Sequence, residues 1–168
     1  GLELDDLKGT PYIRKPFTIK GRKMRIGLRW QGHPQFEHEH HKKFPSDLMF
    51  EAMRGVDAEF ISLQRDEGED ECPFWVRKVP LNTWEDTRQA IAECDLVISS
   101  CTSVSHLAGA MGVDTWVVTP IMPYFLYALD GNKTPYYNSF TMFRQEKYGD
   151  WEAPFVKIRE KLLEMKKQ

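Results

Sequence analysis

The sequence predicts an α/β domain with a Rossmann-like, mostly parallel sheet of five or six strands and helices on both faces. Three observations carry that expectation. The stretch 94–112, CDLVISSCTSVSHLAGAMG, reads as a buried strand, a tight hydroxyl-rich turn and a helix. Short apolar and β-branched runs alternate with helical patterns along most of the chain, as stacked β-α units require. The 168 residues, 41% hydrophobic and 29% charged, are enough for one domain with a full core.

Residues 1–22 mix acidic, basic, Gly and Pro residues without sustained periodicity and read as a linker or edge extension, leaving residues 23–168 as the folded domain. Residues 24–30 alternate loosely, with Ile26 and Leu28 on one side, and form the first strand. A helix over residues 46–54 ends at Gly55, and a second strand covers residues 59–63. Residues 66–71 are an acidic loop, and residues 75–81 read as a short third strand. Asn82 or Thr83 caps a helix over residues 84–93, with Glu85 and Asp86 where the dipole favours them.

The central unit follows. Leu96, Val97 and Ile98 make a buried strand, and Thr102 or Ser103 starts a helix whose Val104, Leu107 and Met111 face the sheet. Ala108, Gly109 and Ala110 let that helix lie close to it. Residues 114–119, closed by Pro120, are the next strand. Tyr124, Phe125 and Tyr127 precede the turn Asp130-Gly131-Asn132 and could stack on a base or pack a core. Residues 140–143 are the last strand, and an amphipathic helix over residues 151–166 repeats Phe155, Ile158 and Leu162 at i, i+3 and i+7.

Composition excludes several classes of function. The net charge is −2 and no Lys/Arg block is long enough for a nucleic-acid footprint. No apolar run approaches the roughly 20 residues of a spanning helix. The three scattered cysteines suit neither a disulfide framework nor structural zinc, so a reducing, cytoplasmic setting is expected. His33, His38, His40 and His41 lie among Glu37 and Glu39, chemistry that zinc or nickel would accept. However, the H-E-x-x-H helical spacing is missing, and these residues are expected to be solvated, with no physiological metal. A dinucleotide-binding oxidoreductase needs G-x-G-x-x-G after the first strand, which Gly27 and Gly32 do not provide.

A helix start leaves backbone N–H groups without internal partners and carries partial positive charge, so the turn at Ser100, Cys101, Thr102 and Ser103 is suited to a phosphate. Such junctions also occur in α/β proteins where they bind nothing. His106 shares a helix face with Ser103 and would point over the helix start. Gln31 follows the first strand and Gln64 the second, so both fall at the carboxyl edge where open α/β sheets bind ligands. Lys42 and Lys43 close the intervening loop.

The motif ISSCTSVSHLAGAMG resembles the D-T/S-x-x-x-H-x-A-G-A-x-G segment of the C-terminal nucleotide-sugar-binding domain of GT-B glycosyltransferases. The resemblance is closest to the heptosyltransferase-like group often joined to tetratricopeptide repeats. GLRWQG, ISLQ, EDTRQAIAECDLVIS and TPYYNSFTMFRQEKYGDW resemble further blocks of that group in the same order, so the likeness runs from about Met24 to the C-terminus. It implies a single GT-B half that takes a nucleotide diphosphate sugar as donor substrate, with no separate cofactor. It further implies that Lys43, before Phe44-Pro45, contacts donor phosphate, with Lys42 as its possible substitute, and that Gln64 contributes to nucleoside recognition.

In that family the general base sits on an N-terminal acceptor domain. No catalytic residue is therefore assigned in this chain, and little transferase activity is expected from it alone. Cys101 stands where the family usually has Asp. With the histidine-rich loop, this motivates a second expectation, a non-catalytic binding or assembly module that keeps the half fold.

Overall fold

The computed structural model describes residues 21–35, 39–122 and 131–165. Most of the N-terminal extension, His38 and the aromatic trio Tyr124, Phe125 and Tyr127 lie outside the described residues. Five strands form one fully parallel sheet: β1 (Arg25–Arg29), β2 (Glu59–Ser62), β3 (Leu96–Ser100), β4 (Asp114–Thr119) and β5 (Phe140–Arg144). Their order is β2-β1-β3-β4-β5. The chain runs outward from β1 to β2, then crosses back to place β3 on the other side of β1, so the direction of winding reverses between β1 and β3.

Helices cover both faces. Ile26, Leu28 and Trp30 point to one face and meet α2 (Ser46–Met53) and α5 (Glu152–Met165) through Met49, Met53, Phe155 and Ile158. The opposite face carries Ile61, Leu63 and Val97, which pack against α3 (Trp84–Ala92) and α4 (Ser103–Ala110) through Ala90, Ile91, Val104 and Ala108. The period-2 alternation in β1 thus feeds two cores. β3, covered on both faces, is buried at every position, as a central parallel strand should be.

Local signals account for most boundaries. Thr83 and Asp86 form a reciprocal capping box at the start of α3: the Asp86 N–H donates to the Thr83 hydroxyl at 3.1 Å, and the Thr83 N–H donates to the Asp86 carboxylate at 2.9 Å. Gly55 and Gly112 follow their helices with φ of 76° and 72°, values that L side chains rarely adopt. Gly109 is needed for a different reason. A Cβ there would stand 2.5 Å from Phe140 and 2.7 Å from Tyr137, so α4 approaches β5 as closely as it does only without a side chain.

The strand expected over residues 75–81 does not form. One parallel bridge joins Ile61 and Arg77: the Ser62 N–H donates to the Arg77 carbonyl at 2.8 Å and the Arg77 N–H to the Phe60 carbonyl at 2.9 Å. Pro73 and Pro80 flank the segment and cannot donate to a ladder. β2 is therefore the edge of a five-stranded sheet. A further helical turn, α1 (Glu39–Lys42), is too short to leave a periodic signal in the sequence.

Candidate functional site

A cavity of about 570 Å³ opens at the carboxyl ends of β1, β2 and β3. It lies where the winding reverses, the position at which open α/β sheets hold ligands, and its size falls within the usual range for a small-molecule site. Arg29, Gly32, His33 and Lys42 reach it from the β1 side, Leu63, Arg65 and Asp66 from β2, and Trp84 and Thr87 from α3. Cys101 to Val104 and His106 close it from the turn after β3.

The β3–α4 turn presents a helix start to the cavity. Thr102 occupies the N-cap position with extended backbone (φ −136°, ψ 172°), yet its hydroxyl does not cap the helix. That hydroxyl lies 3.5 Å from the Ser99 hydroxyl, which itself donates to the Ser100 carbonyl at 2.7 Å. The Ser105 hydroxyl donates to the Thr102 carbonyl at 2.6 Å and holds the turn from behind. The Ser105 N–H donates to the Thr102 carbonyl at 3.1 Å, and a helix start without a side-chain cap keeps its earlier N–H groups and partial positive charge for an external acceptor.

Cations gather at the same mouth. The Lys42 ammonium donates to the Cys101 carbonyl at 3.5 Å and so stands against the turn itself. His106, one turn into α4, is half-buried, with its ring centroid 5.8 Å from that of Tyr137 and 6.3 Å from that of Phe140. Burial, and after it the charge of Lys42, holds the His106 imidazole below the ordinary histidine range. Arg29 reaches across to the Leu63 carbonyl at 3.0 Å, bridging the ends of β1 and β2 on the cavity floor.

Of the residues singled out from the sequence, Cys101, Thr102, Ser103 and His106 share this cavity. Gln31, Gln64, Ser100 and Lys43 lie outside its lining. Gln64 is buried and turned into the protein: its carbonyl oxygen accepts from the Trp30 and Gln31 N–H groups at 3.1 and 3.0 Å. Its amide donates to the Gln31 and Glu67 carbonyls at 3.1 and 2.6 Å. Those four bonds hold the loops after β1 and β2 together. Ser100 is buried beneath the turn, and its hydroxyl has no hydrogen-bond partner among the described residues.

Lys43, just past the end of α1, is exposed, while its neighbour Lys42, the last residue of α1, lines the cavity. Lys42, the substitute for Lys43 in the sequence reading, lines the cavity, as do Arg29, Arg65, Thr87 and Trp84, which were not singled out as site residues. The usable signal was positional, since Arg29 ends β1 and Arg65 lies shortly past β2, both at the ligand edge. No group of three or more His, Cys, Asp or Glu side chains suited to a metal occurs among the described residues. Nor is any helix among them long and apolar enough to cross a membrane.

No family model matches the sequence, and no curated protein matches it. Among solved structures, ADP-heptose LPS heptosyltransferase II of E. coli matches with a TM-score of 0.61 and 12% sequence identity. The match covers 87% of this chain and 48% of that protein, so the chain spans about half of its length. The likeness is one of fold: a Rossmann-like parallel sheet with helices on both faces is common to this chain and that part of the heptosyltransferase.

Proposed function

We propose that this chain binds a nucleotide diphosphate sugar at the carboxyl edge of its sheet and serves as the donor-binding half of a glycosyltransferase. The observation that carries the reading is the uncapped start of α4, flanked by Lys42 and His106 inside a cavity at the reversal between β1 and β3. A diphosphate there accepts hydrogen bonds from the first-turn N–H groups of α4. Its negative charge meets the helix dipole and the Lys42 ammonium. The Thr102 and Ser103 hydroxyls are at hand for the remaining oxygens.

The chemistry of glycosyl transfer requires that charge building on the leaving diphosphate be stabilised. Lys42, the α4 start and a protonated His106 supply that stabilisation. Deprotonating the acceptor hydroxyl requires a base. No residue of the cavity is assigned to that step, in keeping with a base contributed by an acceptor domain. On this reading the chain by itself binds donor and turns it over slowly or not at all.

Cys101 favours one alternative, a half fold that serves as a binding or assembly module without the donor. Its thiol takes the place of a carboxylate at the turn. Thermal unfolding against UDP, GDP, ADP and their sugars separates the two. A donor-binding chain is stabilised by about 2.7 kcal/mol at 100-fold excess over Kd. A melting temperature unmoved by any of them at millimolar concentration is the outcome for the assembly module.

A further inference from the structure

We propose that Trp84 is the platform on which the ligand's nucleobase stacks. The inference rests on nucleotide binding in the cavity and adds which residue holds the aromatic end. Three of the five tryptophans, Trp30, Trp116 and Trp151, are buried, whereas Trp84 is 58% exposed and lines the cavity. The helix does not require an indole at this position. Its cap is made by Thr83 and Asp86, and its buried side by Thr87, Ala90 and Ile91. A large aromatic surface left in water at the wall of the cavity fits a planar partner, because the indole offers its face at little conformational cost.

The layout of the sheet selects the base over the sugar. The phosphate end belongs at the start of α4, which follows β3, while Arg65 and Asp66 follow β2 and share the wall with Trp84. β2 and β3 are separated by β1, two strand spacings or about 10 Å. That is the scale on which a ribose separates a phosphate from its base. A ligand anchored at α4 therefore crosses over Arg29 and delivers its base between the Trp84 indole and the Arg65 guanidinium, both of which stack on aromatic faces.

The test compares Kd values by titration calorimetry for two probes, a nucleoside diphosphate and inorganic pyrophosphate, with the wild-type chain, Trp84→Ala and Trp84→Phe. Expected is a loss of about 5- to 150-fold for the nucleoside diphosphate in Trp84→Ala and a much smaller loss in Trp84→Phe. Pyrophosphate affinity stays unchanged in both, which also shows that the variants fold. Wild-type binding with an unaltered Kd in Trp84→Ala overturns the inference alone. So does equal weakening of both probes, or a loss seen only with a sugar-bearing nucleotide. A wild-type chain that binds neither probe overturns the nucleotide reading and this inference with it.

Discussion

Lys42 and His106 act on each other across the mouth of the cavity: after burial, the Lys42 ammonium is the cause that holds the His106 imidazole below its ordinary range. Two consequences follow for the free chain. With the folded value depressed below the unfolded value of about 6.5, the native state binds fewer protons than the unfolded chain between those two pH values. The contribution of His106 to stability is fully present above the unfolded value and is lost as pH falls towards the folded one. Lys42→Met is expected to move the His106 titration upwards, part of the way back, as read from its imidazole proton resonances. An unmoved titration would mean that the ammonium does not reach the ring.

The two neighbouring lysines should behave differently. Lys42 lines the cavity and Lys43 is exposed outside it. Lys42→Met is expected to weaken nucleoside diphosphate binding by about 1.5–3 kcal/mol, the scale of a charged hydrogen bond, whereas Lys43→Met stays within about 0.5 kcal/mol of wild type. Calorimetric Kd values for the two variants decide the matter, and the reverse order would return Lys43 to the site.

His106→Ala is expected to weaken nucleotide-sugar binding by about 1–2 kcal/mol, because the protonated imidazole donates a charge-assisted hydrogen bond to the diphosphate. Binding should tighten as pH falls through the histidine range, since the bound anion raises a value that burial and Lys42 hold down in the free chain. The ring also packs near Tyr137 and Phe140, so some loss of melting temperature accompanies the loss of affinity. Affinity that is independent of pH from 5 to 8 would assign His106 to packing alone.

Gln64 is expected to matter for folding. Truncation to Ala leaves two buried backbone N–H groups, the buried Gln31 carbonyl and the partly exposed Glu67 carbonyl without the partners they have in the wild type. At about 1–3 kcal/mol for each buried group left unpaired, the loss of unfolding free energy should be roughly 3 kcal/mol or more. Gln64→Glu should be worse, because its carboxylate would face the Gln31 and Glu67 carbonyls. Denaturant unfolding reads both. A Gln64→Ala chain of wild-type stability with weakened nucleotide binding would restore Gln64 to a nucleoside-contacting role.

Much of the fold could be read from the chain because period-2 and period-3.6 patterns survive wherever an element buries one side. The Leu96–Ser100 strand, the hydroxyl turn and the helix up to Gly112 stand where the pattern put them. Residues 75–81 carry apolar residues of the right kind, but proline at both ends leaves only the bridge at Arg77, and edge pairing depends on long-range geometry that local pattern does not contain. The site was legible in part for a similar reason. Strand ends locate the ligand edge, yet the direction of a side chain at such an end depends on the loop that follows. Gln64 turns inward to satisfy the backbone at Trp30 and Gln31, and Lys42 rather than Lys43 lines the cavity, a choice that local pattern does not make between two adjacent lysines.

Whether a diphosphate sits on the start of α4 is read from amide chemical shifts followed during titration with a nucleoside diphosphate. The largest perturbations are expected at the N–H groups from Cys101 to Val104, together with an upward-shifted titration of the His106 imidazole in the bound state. Saturable binding with these signals unmoved, and the perturbed amides lying elsewhere on the chain, would contradict that placement.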